Sequence, residues 1–228
     1  MPAAARKDQG EGASEFVFSV RQNAVLEAAL RLLVEGGERA LTTGAVAAAA
    51  NCSKESLYKW FGDRDGLLAA VVTYQASKVR VFDDEAAPAT RTEFEAALCR
   101  FAEDLMTVLF SDTSLALNRL SIGSVRGGQA GLGAVLLERG KRRIEDRARE
   151  LLSIGRSRRF IHFNDAETAY QALYGLVIGD RHVRALLGDG AALSATAIPS
   201  HASFAVGQFL KLHLPAGGAE PPETHQSP

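Results

Sequence analysis

The sequence predicts an all-α fold: an N-terminal three-helix helix-turn-helix unit followed by a larger helical bundle, about nine helices in total. Three observations carry that expectation. Apolar residues recur at three- and four-residue spacing through most of the chain, and no run reads as a strand. The third is the stretch Thr42–Leu68, TTGAVAAAANCSKESLYKWFGDRDGLL, where two short helical patterns flank a tight break.

The elements follow in order. Residues 1–15, MPAAARKDQGEGASE, have no hydrophobic targeting core and read as a disordered leader. Ser19 is a suitable N-cap for a helix over 19–36, with Ala24, Ala28 and Leu32 (and Val25, Ala29, Leu33) at helical spacing. Gly36-Gly37 stops it. A second helix over 43–50 is capped by the hydroxyl of Thr42 or Thr43, with Val46, Ala49 and Ala50 as its apolar face. Asn51 tolerates the left-handed conformation that a sharp corner needs, and Ser53 caps a third helix, 54–61, that turns Leu57 and Phe61 inward. Gly62-Asp63 breaks the chain before a fourth, long helix from Arg64 through Leu67, Leu68, Val71, Val72, Val79 and Phe82.

Pro88 interrupts the chain, since proline removes a helix donor. A helix over 91–110 follows, carrying Phe94, Leu98, Phe101, Leu105 and Val108. A shorter one holds Leu115, Leu117, Leu120 and Ile122, and the loop Arg126-Gly127-Gly128 ends it. Helix 132–155 turns Leu136, Leu137, Ile144, Ala148, Leu151 and Leu152 inward, and Phe160–Phe163 is an extended link. Asn164 or Asp165 caps a strongly apolar helix over 165–187, and Pro199 opens a last helix to Leu214. The expected division is a leader (1–15), a helix-turn-helix domain (16–63), a bundle (64–214) and a disordered tail (215–228).

Composition narrows the function classes. With 46% apolar and 23% charged residues, 228 residues bury a sizeable core. The net charge of -1 makes any nucleic-acid surface a local one, and residues 16–80 carry 8 Lys/Arg against 6 Asp/Glu, or +2. Two cysteines, Cys52 and Cys99, make no disulfide framework and point to a reducing cytoplasm. No apolar run approaches the roughly 20 residues of a membrane span. The five histidines show neither i,i+4 pairing nor a nearby cysteine pair, so no metal site is expected, and no cofactor. No catalytic motif is evident. The basic run Arg139–Arg143, with Arg147 and Arg149, is interleaved with Glu138, Glu145, Asp146 and Glu150, as on a solvated face laced with ion pairs.

A family resemblance rests on Glu35-Gly36, Thr42-Thr43, Val46-Ala47-Ala50, Ser53-Lys54, Leu57-Tyr58, Phe61, Arg64 and Leu67-Leu68. In order and spacing, over about the first 70 residues, this resembles the TetR family of bacterial transcriptional regulators. Asn51, Cys52, Glu55 and Arg64 depart from the usual pattern; of these, the acid Glu55 bears on sequence preference, because it repels phosphate and suits a cytosine amino group. The resemblance implies a regulator that binds a double-stranded operator as a homodimer, most readily a repressor of a palindromic site, released by a small effector.

The residues then take expected roles. Thr42, Thr43, Ser53, Lys54, Glu55, Ser56, Tyr58, Lys59 and Trp60 form the DNA-binding set, with Thr43, Tyr58 and Lys59 toward phosphate and Ser56 and Glu55 toward base edges. Trp60 suits either a sugar-phosphate contact or packing. Family members pair through their last two helices, and here Tyr170, Ala172, Tyr174, Gly175, Leu176, Gly179, Ala185 and Phe209 are the candidates. Walls for a mostly apolar effector are expected from Phe101, Leu105, Met106, Phe110, Leu117, Leu120, Tyr170 and Tyr174, with Asn118 and Arg119 as polar contacts. The competing class is a helical ligand-binding protein or enzyme that has lost DNA recognition; a gel shift on DNA beside its own gene separates the two.

Overall fold

The computed structural model describes residues 18–79, 87–124, 131–190 and 193–215, and every regular element among them is helical. Helix α1 (Val20–Ala40) starts in a reciprocal cap: the Ser19 hydroxyl accepts from the Gln22 amide while the Gln22 side chain accepts from the Ser19 amide. At Gly37 the backbone turns to φ 65°, so the glycine pair kinks α1 and leaves one further turn.

Helix α2 (Thr43–Ala49) is capped by Thr42, whose Oγ1 accepts from the Ala45 amide at 3.1 Å. Its inner face is Val46 and Ala47 with Ala50 half-buried, while Ala49 is exposed. The expected Val46/Ala49/Ala50 stripe is corrected by one position, because a run of alanines has no pattern to set the register. Asn51 takes φ 50°, the left-handed corner, and Ser53 Oγ accepts from the Ser56 amide at 3.0 Å to cap α3 (Lys54–Phe61). Ser53→Ala is expected to lower unfolding stability by about 1 kcal/mol, a melting shift of about 2–4 °C; an unchanged calorimetric midpoint would remove the cap from the account of the corner. Asp63 caps α4 (Arg64–Ser77), which ends two residues before Val79, the first of the two residues, Val79 and Phe82, expected to extend it. Phe82 lies outside the described residues, as do the leader and all of the tail beyond Pro215.

The bundle comprises α5 (Arg91–Leu109), α6 (Asp112–Ser124), a continuous helical stretch over 131–157, α9 (Ala166–Ile178), α10 (Arg181–Leu186) and α11 (Ile198–Leu212). The continuous stretch is α7 (Gly131–Val135), a π turn at Leu136–Lys141 and α8 (Arg142–Ser157). Counting it once, the described residues hold ten helical segments. A Thr90/Glu93 capping box opens α5. The single helix expected over 165–187 is corrected to two: Gly179 adopts φ 56° and stops α9. The link at 160–163, expected to be extended, is non-helical and bends at Phe160 and Ile161; it buries Ile161 and Phe163, and is held to the end of α11 by His162 N–H donating to the His213 carbonyl at 2.9 Å. On α8 the charged face is laced by Arg142–Glu138 and Arg149–Glu145 pairs, and Arg149 also reaches Glu167 at 3.1 Å.

Two apolar clusters result, and α4 belongs to both. Leu67, Leu68, Val71 and Val72 join Leu26, Leu33, Val46, Leu57 and Phe61 in the N-terminal cluster, which Leu117 and Leu132 close from the bundle side. Ala76, with Val79 just past the helix, packs in the second cluster with Phe94, Leu98, Leu105, Leu152 and Phe209. A helix shared between two cores transmits displacement from one to the other, because close-packed interiors resist deformation.

Candidate nucleic-acid interface and internal cavity

The α2–α3 corner presents a polar face. Lys54, Glu55, Tyr58 and Lys59 are exposed, Tyr58 at 53%. Thr42 and Ser53 are also exposed, but their hydroxyls are engaged as caps, and Ser53 and Ser56 share a hydrogen bond of 2.9 Å. Thr43 is half-buried beside them. The Lys54 ammonium lies against the first turn of α2, 3.7 Å from where a Gly44 Cβ would stand. Trp60 is half-buried against the N-terminal cluster, edge-on to Phe61 with ring centroids 6.3 Å apart, which favours packing of the two roles open to it. Glu55 sits in the first turn of α3, where its charge complements the helix dipole. That gives this acid a structural reason to be on the helix.

Behind the head, α4 is tied to α1 by the Tyr74 hydroxyl, which donates to Glu27 at 2.8 Å. Burial and the neighbouring carboxylate push the Tyr74 phenol up to about 12. Lys78 lies over the Tyr74 ring at 4.7 Å, and burial lowers its pKa.

Within the bundle lies a cavity of about 240 Å³ between α4, α5, α6, the π turn, α8, α9 and α10. Of the expected wall residues, Leu105, Leu117, Asn118, Tyr170 and Tyr174 line it. Five do not, for separate physical reasons. Phe101 and Met106 are enclosed in the bundle core. Phe110 packs against the His182 ring rather than the cavity, and Leu120 packs into the N-terminal cluster. Arg119 is a structural tie: it donates to the Leu186 carbonyl at 2.9 Å and the Ala185 carbonyl at 2.7 Å, bracing α6 against the end of α10.

The sequence reading missed Val72, Gln75, Gly140, Lys141, Ile144 and His182 as cavity residues. Gln75 carried a signal, for it interrupts the apolar series Leu68, Val71, Val72, Val79 at helical spacing. The π turn did not, although π turns recur at functional sites. Its Gly140 lies close to α4: a Cβ there would stand 3.4 Å from Val72 Cγ1.

The proposed pairing residues divide as well. Phe209, Tyr170 and Ala185 are enclosed within the protomer, at 0%, 3% and 4% exposure, so they are corrected to interior residues with no surface for a partner. Gly175 and Gly179 are exposed, while Ala172, Tyr174 and Leu176 are half-buried. On α10 and α11, the large apolar side chains that face solvent include Phe204 (62%) and Leu212 (68%) on α11 and Val183 on α10, with Leu187 just after it. No group of three or more His, Cys, Asp or Glu side chains among the described residues is placed to hold a metal ion, and no described helix is long and apolar enough to cross a membrane.

Comparison with known proteins agrees with this geometry. Residues 25–71 match the family model for bacterial regulatory proteins of the tetR family, and residues 96–213 match the C-terminal domain of AefR-like transcriptional repressors. A TetR transcriptional regulator from Agrobacterium tumefaciens is 54% identical over 86% of this chain and 95% of its own, with a TM-score of 0.73. The flavonoid-responsive regulator FrrA is 25% identical over 86% of this chain and 98% of its own, with a TM-score of 0.60. A TetR-family protein from Mesorhizobium loti, at 24% identity over 85% of this chain and 96% of its own, shares the fold with a TM-score of 0.65. No curated protein matches the chain. A head that matches one half of the family pattern, a bundle that matches the other, and a relative more than half identical place this chain in the TetR family of transcriptional regulators, with a DNA-binding head and a ligand-binding helical domain.

Proposed function

We propose that the protein is a homodimeric repressor whose two α3 helices read a palindromic operator in the cytoplasm and which a small, mostly apolar effector releases. The observation that carries this reading is the dual membership of α4. Leu67, Leu68 and Val71 seat it in the reading head, while Val72, Gln75 and Ala76 form one wall of the cavity. A ligand that fits one position of α4 better than another changes the separation of the two heads, and it shifts the equilibrium only by that difference in affinity. Two heads on one face of DNA need a spacing of roughly 34 Å or a multiple. Self-association would cover Phe204 and Leu212 on α11 and bring the small residues Gly175 and Gly179 of α9 toward a copy.

Lys59 and Tyr58 are the proposed phosphate contacts, and Glu55 with Lys54 the base-edge contacts, since the first turn of a recognition helix meets the bases. Thr43 is retained as a phosphate contact from α2. The test is a gel shift and footprint on the intergenic DNA beside the gene. Saturable, salt-sensitive binding with two related half-sites is expected, and no binding at low salt would sink the reading. Lys59→Ala should weaken binding to all DNA sequences alike and reduce the salt slope by about one; unchanged affinity would take Lys59 off the contact surface. The relative named for its response to flavonoids supports a largely apolar effector.

A further inference from the structure

Two polar atoms of the cavity residues are buried without a hydrogen-bond partner: the Gln75 carboxamide oxygen and His182 Nε2. Gln75 is 7% exposed and sits on α4 among Val71, Val72 and Ala76, all buried. A carbonyl oxygen desolvated in that setting carries a cost that a donor from a bound molecule removes. His182, on α10, packs edge-on to Phe110 with ring centroids 6.1 Å apart, and burial lowers its pKa, so the ring is neutral near pH 7. A neutral imidazole has one donor and one acceptor nitrogen, so Nε2 accepts or donates according to what it meets.

The rest of the wall sets the sign and size of the occupant. It is built mainly from Leu105, Leu109, Leu117, Leu136, Ile144 and the two tyrosines, and no Asp or Glu is among the lining residues, which disfavours a cation. Lys141 is the one cationic lining residue and is exposed, so its charge is solvated. The Asn118 amide is already committed, donating to the Ser114 carbonyl at 2.8 Å. An apolar cavity of about 150 Å³ takes up benzene, so about 240 Å³ admits a larger body.

We propose that the cavity takes a neutral, largely apolar compound that donates an O–H or N–H hydrogen bond to the Gln75 carbonyl oxygen, with His182 Nε2 meeting a second polar atom. This rests on the cavity being the effector site of the regulator proposed above. It adds that recognition turns on the donor rather than on the apolar body. Because Gln75 belongs to α4, the same hydrogen bond engages the helix that reaches the reading head.

Equilibrium dialysis of the full-length protein at pH 7 with 2-naphthol, 2-methylnaphthalene and 2-naphthoate tests it. The three share an apolar body and differ in having a donor, neither donor nor charge, and a negative charge. 2-Naphthol should bind about tenfold tighter than 2-methylnaphthalene, with 2-naphthoate the weakest. Gln75→Leu should bring the naphthol-to-methylnaphthalene ratio close to one without lowering the melting temperature. Should Gln75→Leu fail to fold, Gln75→Met makes the same measurement, and the wild-type ratio stands without either. Equal wild-type affinities, tighter binding of 2-naphthoate, or no saturable binding of 2-naphthol would each overturn the proposal. The two readings fail separately. A retained ratio with no operator binding defeats the regulator reading alone, whereas operator binding with no ratio defeats the ligand proposal alone.

Discussion

Gly66→Ala is expected to destabilise the head by about 3 kcal/mol, the upper range for forcing atoms into a packed site. A Cβ at Gly66 would lie 1.9 Å from the Phe61 carbonyl oxygen and 3.1 Å from its carbon. Both are backbone, so no rotamer change relieves the clash. Gly66 is also held from the other side, its amide donating to Asp63 Oδ1 at 2.8 Å. The remaining escape is to move α3 against α4, which displaces the recognition helix from the register set by Leu57 and Phe61. A melting temperature lowered by about 6–12 °C, with operator binding lost, is the expected result from calorimetry and gel shift. Gly123→Ala on α6 is the control, because nothing lies within 4 Å of a Cβ placed there. An unshifted Gly66→Ala melt would show that the α3–α4 corner relaxes freely.

Phe209→Ala is expected to cost about 4 kcal/mol, the usual range for removing a fully buried aromatic ring. Phe209 is 0% exposed, stacks near the His213 ring at 4.4 Å and joins α11 to the Phe94 and Leu105 cluster. Denaturant unfolding should show the loss. Phe204→Ala, on the exposed face of the same helix, should leave unfolding nearly unchanged and weaken self-association in sedimentation. The reverse outcome, with Phe209→Ala affecting only association, would restore Phe209 to the partner-facing surface.

The contrast between these two phenylalanines shows what could be read in advance. Both lie on one amphipathic helix, and their spacing places them on different faces. Which face meets the protomer's own core and which is left open depends on α5 and α9, distant in sequence. Tyr170 and Ala185 were misplaced for the same reason. Gly179 was a different case: its left-handed φ is a local property, but the apolar run on both sides masked a Gly-Asp turn signal. The cavity was half legible. Leu105, Leu117 and the tyrosines have the right composition, yet Phe101 and Met106 have it equally and face the core.

By itself the sequence determined the helical class, the caps at Ser19 and Ser53, the left-handed corner at Asn51 and the polar face of α3, and it narrowed two further caps to neighbouring pairs from which the structure selects Thr42 and Asp165. These are short-range effects, a side-chain oxygen meeting an amide three residues on or one residue's steric freedom, and they need no distant partner. Tertiary structure alone decided that α4 serves two cores, that the π turn brings Gly140 against Val72, and that Gln75 and His182 join one cavity wall with their polar atoms unpaired. Burial is a property of what packs around a residue, and helices from every part of the bundle contribute to it.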